Sequence, residues 1–210
     1  MRFHNDLGFM EKIYCFDLDG TLTKNELLPI IAKDVGLQHE LGILTQLTID
    51  GLISFEDSFK LRFSILKSIP ISRVQGIISQ ELLFGGVIKF IRENTKNSFI
   101  ITGNLDCWVK PILDKINCGI YTSTARQSGD FVSDLLYIMH KSEAINNIKK
   151  KHPNSEIVCI GDGFNDCSMF EISDIGIAVG YVHPPNKMLI EVSDYVVYEE
   201  GTLCRLLNTL

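Results

Sequence analysis

One stretch near the amino terminus limits the fold more than any other. From Ile13 the chain reads Ile-Tyr-Cys-Phe-Asp-Leu-Asp-Gly-Thr, an apolar run ending in two carboxylates at alternate positions. Such a run predicts a strand buried on both faces, as in the middle of a parallel sheet. Acids at the carboxyl end of such a strand lie where open α/β sheets bind ligands. Two like charges held there cost free energy unless a cation neutralises them. Asp17 and Asp19 therefore point to a metal and phosphoryl site. Taken alone, the stretch also fits a solvated Asx turn closing a strand, since Asp and Gly are common turn formers.

After Thr21 the pattern turns helical. Leu27, Leu28, Ile31 and Val35 recur at helical spacing, and Gly36 supplies a stop. A second helix is expected over 38–49, striped by Leu41, Leu44 and Leu47, with an Asp50-Gly51 turn behind it. Ser54 caps a third, with Asp57 standing in for the capping-box Glu and Phe55, Phe59, Phe63 and Leu66 on its apolar face. Pro70 breaks the run, and Ser72 is expected to cap a fourth helix reaching Gln80. No strand pattern occurs between Asn25 and Leu83. The reading is a small all-helical unit, residues 24–84, inserted between a short first core segment, 1–23, and the rest of the core, 85–210.

The second core segment alternates strands and helices. A helix is expected over 87–93, and a buried strand over 98–102 ends in Gly103-Asn104. A helix containing Pro111 follows over 106–116, then short strands at 119–123 and 131–133 around the Gln127–Asp130 turn. Lys141 opens a helix. A third buried strand, 157–161, leads into Asp162-Gly163-Phe164-Asn165-Asp166 and a short helix through Phe170. Strands at 175–179 and 195–198 close the pattern, with His183-Pro184-Pro185 leading to a helix near Asn186. This alternation predicts an α/β fold with a parallel central sheet covered on both faces. Right-handed crossovers put the carboxyl ends of the strands on one edge, so Asp17, Thr102 and Asp162 converge.

Composition narrows the partners. The formal net charge is −6, which argues against nucleic acid. The six cysteines form no C-x-x-C pair and several sit in apolar runs, so they read as reduced core thiols of a cytoplasmic protein. Met1–Glu11 is too short and polar for a signal peptide, and no apolar run approaches the ~18 residues of a membrane span. Among the acids, Asp17, Asp19, Asp162 and Asp166 supply hard oxygen ligands suited to Mg²⁺. Thr102 with Gly103 offers a hydroxyl and backbone N–H groups to a phosphate at an expected helix start, and Lys141 offers a fixed positive charge. His183 has no second ligand among its sequence neighbours, so no metal role is expected of it. Trp108 and the phenylalanines read as packing, and Lys149-Lys150-Lys151 as a solvated helix end.

Asp17-Leu18-Asp19-Gly20-Thr21, Thr102, Lys141 and Gly161-Asp162-Gly163-Phe164-Asn165-Asp166 resemble, in order, the four motifs of the haloacid dehalogenase superfamily of phosphohydrolases. The resemblance covers nearly the whole chain beyond Glu11. It implies a Rossmann-like three-layer core with the helical insertion as a cap. Asp17 would be the nucleophile, and Asp19 the acid that protonates the leaving group and then activates water. Thr102 and Lys141 would hold the phosphate. Mg²⁺ would bind Asp17, Asp162 and the backbone carbonyl of Asp19, with Asp166 supporting its waters and Asn165 positioning Lys141 or the phosphate. Within the superfamily the chain is similar to the phosphoserine phosphatases. Glu26 stands where those enzymes hold the substrate amine, and Arg62 where they grip its carboxylate, with Phe55 beside the ligand. Taken singly, Glu26 and Arg62 also fit solvated helix charges. Where those enzymes carry Ser-Gly-Gly, this chain has Thr102-Gly103-Asn104, which puts a bulkier polar group near the substrate. The implied partner is a small phosphorylated metabolite, and the implied state a monomer or homodimer. A phosphotransferase and a non-catalytic phospholigand binder are the other readings this fold leaves open.

Overall fold

The computed structural model describes residues 10–49 and 52–210. The expected Asp50-Gly51 turn lies outside the described residues. One sheet contains β1 (Lys12–Phe16), β2 (Ser98–Leu105), β3 (Gly119–Ser128), β4 (Phe131–Tyr137), β5 (Glu156–Gly161), β6 (Ile175–Val179) and β7 (Tyr195–Val197). Their order is β4-β3-β2-β1-β5-β6-β7, with every neighbouring pair parallel except β3 and β4. The run at Ile13 is thus the central strand.

Alternation along β1 divides the core between two faces. Tyr14 and Phe16 join Ile100 and Ile160 beneath α5 (Gly85–Glu93), α6 (Asp106–Leu113) and α10 (Glu200–Thr209). Ile13 and Cys15 join Ile157 and Cys159 beneath α7 (Lys141–Lys151), α8 (Cys167–Phe170) and α9 (Lys187–Glu191). Both faces are covered, so the strands read as unbroken apolar runs. β1 lies in register with β5 at Phe16 and Ile160, and the Asp17 N–H donates to the Ile160 carbonyl at 2.9 Å. That register sets Asp17 beside the loop carrying Asp162.

Between β1 and α5 lie four helices: α1 (Leu27–Asp34), α2 (Gln38–Ile49), α3 (Phe55–Leu66) and α4 (Ile71–Ile78). The two connections to this unit run side by side. Thr23 bridges Leu83, Lys24 N–H donates to the Leu82 carbonyl, and Phe84 N–H to that of Leu22. Ser54 caps α3 as expected, accepting from Asp57 N–H at 3.0 Å.

Three local expectations are corrected. Ser72 does not cap α4, which begins at Ile71. Asp130, in the β3–β4 turn, caps it instead, accepting from Ser72 N–H at 2.9 Å and from Ser72 Oγ at 2.5 Å. Thr102 is not at a helix start: β2 runs on to Leu105 with its register broken between Ile101 and Leu105, and α6 begins only at Asp106. The hairpin strands are also longer than expected: they lie at the edge of the sheet, where most of their residues are only partly buried or exposed. Pro111 sits inside α6. The proline leaves the Cys107 carbonyl without its helical partner, and Gln75 Nε2 of α4 donates to it at 2.6 Å.

The Asp130 cap yields a prediction. Asp130→Ala removes two donors' partners and costs about 1 kcal/mol, a melting temperature lower by about 2–4 °C in thermal denaturation. An unchanged melting temperature would show the cap to be idle.

Candidate active site

The carboxyl edge of β1 and β5 holds a buried ion network. Asp17 follows β1, and Lys141 is the first residue of α7. The Lys141 ammonium lies 2.5 Å from Asp17 Oδ1 and 2.5 Å from Asp166 Oδ1. Lys141 is 5% exposed, Asp17 4% and Asp166 0%, so solvent screens none of them. Burial pushes the Asp17 carboxyl well up, against the pull of Lys141. Burial also works to lower Lys141, but Asp166 and Asp17 outweigh it and hold the ammonium charged. Asp166 Oδ2 accepts from the N–H groups of Asp162 and Gly163 at 3.0 and 2.9 Å. A Cβ at Gly161 would come within 2.4 Å of that carboxylate, so glycine is required there.

Asp162 completes the cluster. Ligand oxygens of Asp17, Asp162 and Asp166 all lie within 4.8 Å of one another. Burial pushes Asp162 up to about 6. Its Oδ2 is buried. A buried carboxylate oxygen beside two further carboxylates is the donor set that a hard divalent cation fills. Gly20, at φ +65°, makes room: a Cβ there would stand 2.3 Å from Asp162 Oδ2.

Asp19 stands apart from that cluster. Its Oδ1 accepts from Leu27 N–H at 2.9 Å, capping the first turn of α1. Its Oδ2 accepts from Asn104 Nδ2 at 2.5 Å. Burial, then the nearby Glu26, push Asp19 up to about 7, while Leu27 N–H and Asn104 oppose them. A carboxyl near neutrality can both give and take a proton. Asn104 Nδ2 also reaches Thr102 Oγ1 at 3.0 Å, so this residue joins the acid to the threonine instead of merely filling space. Buried Ser123 on β3 donates to the Gly103 carbonyl at 2.7 Å and fixes the irregular end of β2.

A cavity of about 430 Å³ connects these groups with the helical unit, lined by Asp17, Asp19, Thr102, Gly103, Asn104, Asp162 and Asn165 from the core and by Glu26, Phe55 and Arg62 from the helices. The Arg62 guanidinium donates from Nη2 to Thr45 Oγ1 at 3.0 Å, while its Nε is buried without a partner among the described residues. Phe55 closes over Gly103, where a Cβ would meet its Cζ at 3.1 Å. The structure thus brings together every site residue singled out from the sequence. It adds His183, whose Nε2 lies 3.0 Å from Glu26 Oε1 and 2.9 Å from Asp162 Oδ2. Those carboxylates, Asp162 first, push His183 up to about 10.

The model of the haloacid dehalogenase-like hydrolases matches residues 15–171. The chain belongs to that family. Among relatives of this hydrolase, the phosphoserine phosphatase of Methanocaldococcus jannaschii is 28% identical over 179 residues, covering 80% of this chain and 85% of that protein. A solved structure of a phospho-aspartyl intermediate analogue of phosphoserine phosphatase superposes with a TM-score of 0.79 at 25% identity, covering 96% of this chain and all of that one. A substrate-bound phosphoserine phosphatase complex superposes with a TM-score of 0.80 at 24% identity, over 96% and 99% of the two chains. The chain is a phosphoserine phosphatase-like hydrolase with the family fold. No helix among its described residues is long and apolar enough to cross a membrane.

In this hydrolase, His183 was expected to have no site role because its sequence neighbours offer no second ligand; its partners, Glu26 and Asp162, are remote in the chain. One signal pointed to it: the loop after a parallel strand, here β6, emerges on the same sheet edge as Asp17 and Asp162.

Proposed function

We propose that this hydrolase is a Mg²⁺-dependent phosphomonoester phosphatase working through an aspartyl-phosphate on Asp17. Its substrate is a small amino-acid-like phosphate, with phosphoserine the first candidate. The observation that carries the reading is the cluster of Asp17, Asp162 and Asp166, whose oxygens lie within 4.8 Å of one another, with Lys141 bonded to two of the three. Asp17, Asp162 and the Asp19 carbonyl would hold Mg²⁺, with Asp166 on its waters, and the ion would supply charge neutralisation between nucleophile and phosphate.

An Asp17 oxygen attacks phosphorus and the ester P–O bond breaks, while Asp19 gives its proton to the departing alkoxide. Asp19, now ionised, takes a proton from water. The resulting hydroxide attacks the aspartyl-phosphate, releasing inorganic phosphate and restoring the Asp17 carboxylate. Lys141, Thr102 and Gly103 hold the phosphate oxygens, and Asn165 positions Lys141 or the phosphate. Glu26 faces the substrate amine, Arg62 its carboxylate, and Phe55 packs beside it. The helical unit, residues 24–84, acts as a cap that excludes water over the core segments 1–23 and 85–210. Phosphate release from phosphoserine and a panel of other esters tests this. Turnover abolished by a chelator and restored by Mg²⁺ is expected, whereas release from no ester would refute it.

The raised carboxyls predict how metal and pH interact. Asp162 at about 6 and Asp19 at about 7 lie above their ordinary values, so the metal-free fold binds more protons than the unfolded chain between about pH 4 and 7. Its stability therefore falls as pH rises through that window. Mg²⁺ competes with those protons, so the rise in melting temperature on adding it grows from about pH 5 to about pH 8. A rise independent of pH would contradict this.

A further inference from the structure

The carboxylate facing the proposed amine subsite is already engaged. Nε2 of His183 has two neighbours, Glu26 Oε1 and Asp162 Oδ2, and both are carboxylate acceptors, so that nitrogen carries a proton. The N–H makes a hydrogen bond to Glu26 at 3.0 Å and stands 2.9 Å from Asp162 Oδ2, so Glu26 shares this donor. The loop that presents His183 is tied down on both sides. Tyr181 Oη donates to the Thr21 carbonyl at 3.1 Å, and its ring packs on Phe84 with centroids 4.4 Å apart. Asn186 N–H reaches the Asp162 carbonyl at 3.4 Å. Pro184 and Pro185 restrict the backbone between these anchors. His183 is therefore a fixed donor from the core, directed at a carboxylate of the helical unit.

We propose that His183 sets the specificity of this site by competing with a substrate amine for Glu26. The inference rests on the phosphatase reading above and deepens it. An incoming ammonium must share or displace the His183 N–H, exchanging one charge-assisted hydrogen bond for another, so its net contribution is small. Arg62 has less to give up to a carboxylate: its Nη2 donates to the neutral Thr45 hydroxyl, and its buried Nε has no partner among the described residues. The substrate class is then phosphate esters of small carboxylic acids, with the amine only weakly selected.

The test compares kcat/KM for phosphoserine and for its des-amino analogue, 3-phosphooxypropionate, in the presence of Mg²⁺. Wild type is expected to discriminate between them by less than about tenfold, and His183→Ala to raise the preference for phosphoserine by about tenfold or more, through a lower KM for phosphoserine. His183→Gln, which keeps an N–H donor, stays nearer the wild-type ratio. Adding Glu26→Gln to His183→Ala cancels the gain. If His183 served only to brace Asp162, both esters would suffer equally and the ratio would not move. An unchanged ratio in His183→Ala overturns the inference while leaving the phosphatase reading intact. Absence of phosphate release from every ester overturns both.

Discussion

Asp17→Asn loses phosphate release by on the order of 10⁴-fold or more while its fold stability is unchanged or higher. The two halves of this expectation have one cause. The Asp17 carboxylate is buried beside two further carboxylates, and burial already holds its pKa well up, so its charge is a cost to the metal-free fold. Asparagine has nearly the same shape and removes that charge, and Lys141 keeps Asp166 as its partner. It also removes the group proposed to form the covalent intermediate. Phosphate release assays with thermal melts check both halves. Activity close to wild type would end the nucleophile assignment, and a collapsed fold would end the electrostatic one.

Lys141→Ala is expected to be the most destabilising single change at the site. It leaves two buried carboxylates with no counter-charge, which costs about 3–5 kcal/mol, a fall on the order of 10 °C in melting temperature. Acid should recover part of that loss, because the stranded carboxylates take up protons, and Mg²⁺ should recover part of it by supplying charge. Activity should fall with it, since the same ammonium is proposed to hold the phosphate. Melting curves at neutral and acid pH, with and without Mg²⁺, check this. A melting temperature within about a degree of wild type at neutral pH would mean the network carries little of the fold's stability.

The sequence was most legible where burial is symmetric. β1, β2 and β5 are covered on both faces, so their apolar runs stand out, and the acids following β1 and β5 stand out against them. The helices between β1 and α5 were legible because each hides one stripe, as in the Phe63 and Leu66 side of α3. Less legible were features depending on residues far apart in sequence. The β3–β4 hairpin lies at the sheet edge with few buried positions, so its strands looked short. Asp130 caps a helix 58 residues away. Asn104, read as added bulk, turns out to bond the acid Asp19, 85 residues from it. His183 meets Glu26 across 157 residues. Local patterning carries no signal for such contacts. Only the topological rule that gathers strand ends on one edge brings them within reach.

The measurement closest to the central claim is chemical trapping of the intermediate. Wild type is mixed with a turned-over phosphate ester and Mg²⁺, quenched in acid within one turnover, and mapped by peptide mass spectrometry. An acid-stable, hydroxylamine-labile phosphoryl group on the peptide containing Asp17, absent from Asp17→Asn, is the predicted result. Steady turnover with no phosphoryl group on the protein, or with the group on another side chain, would contradict it.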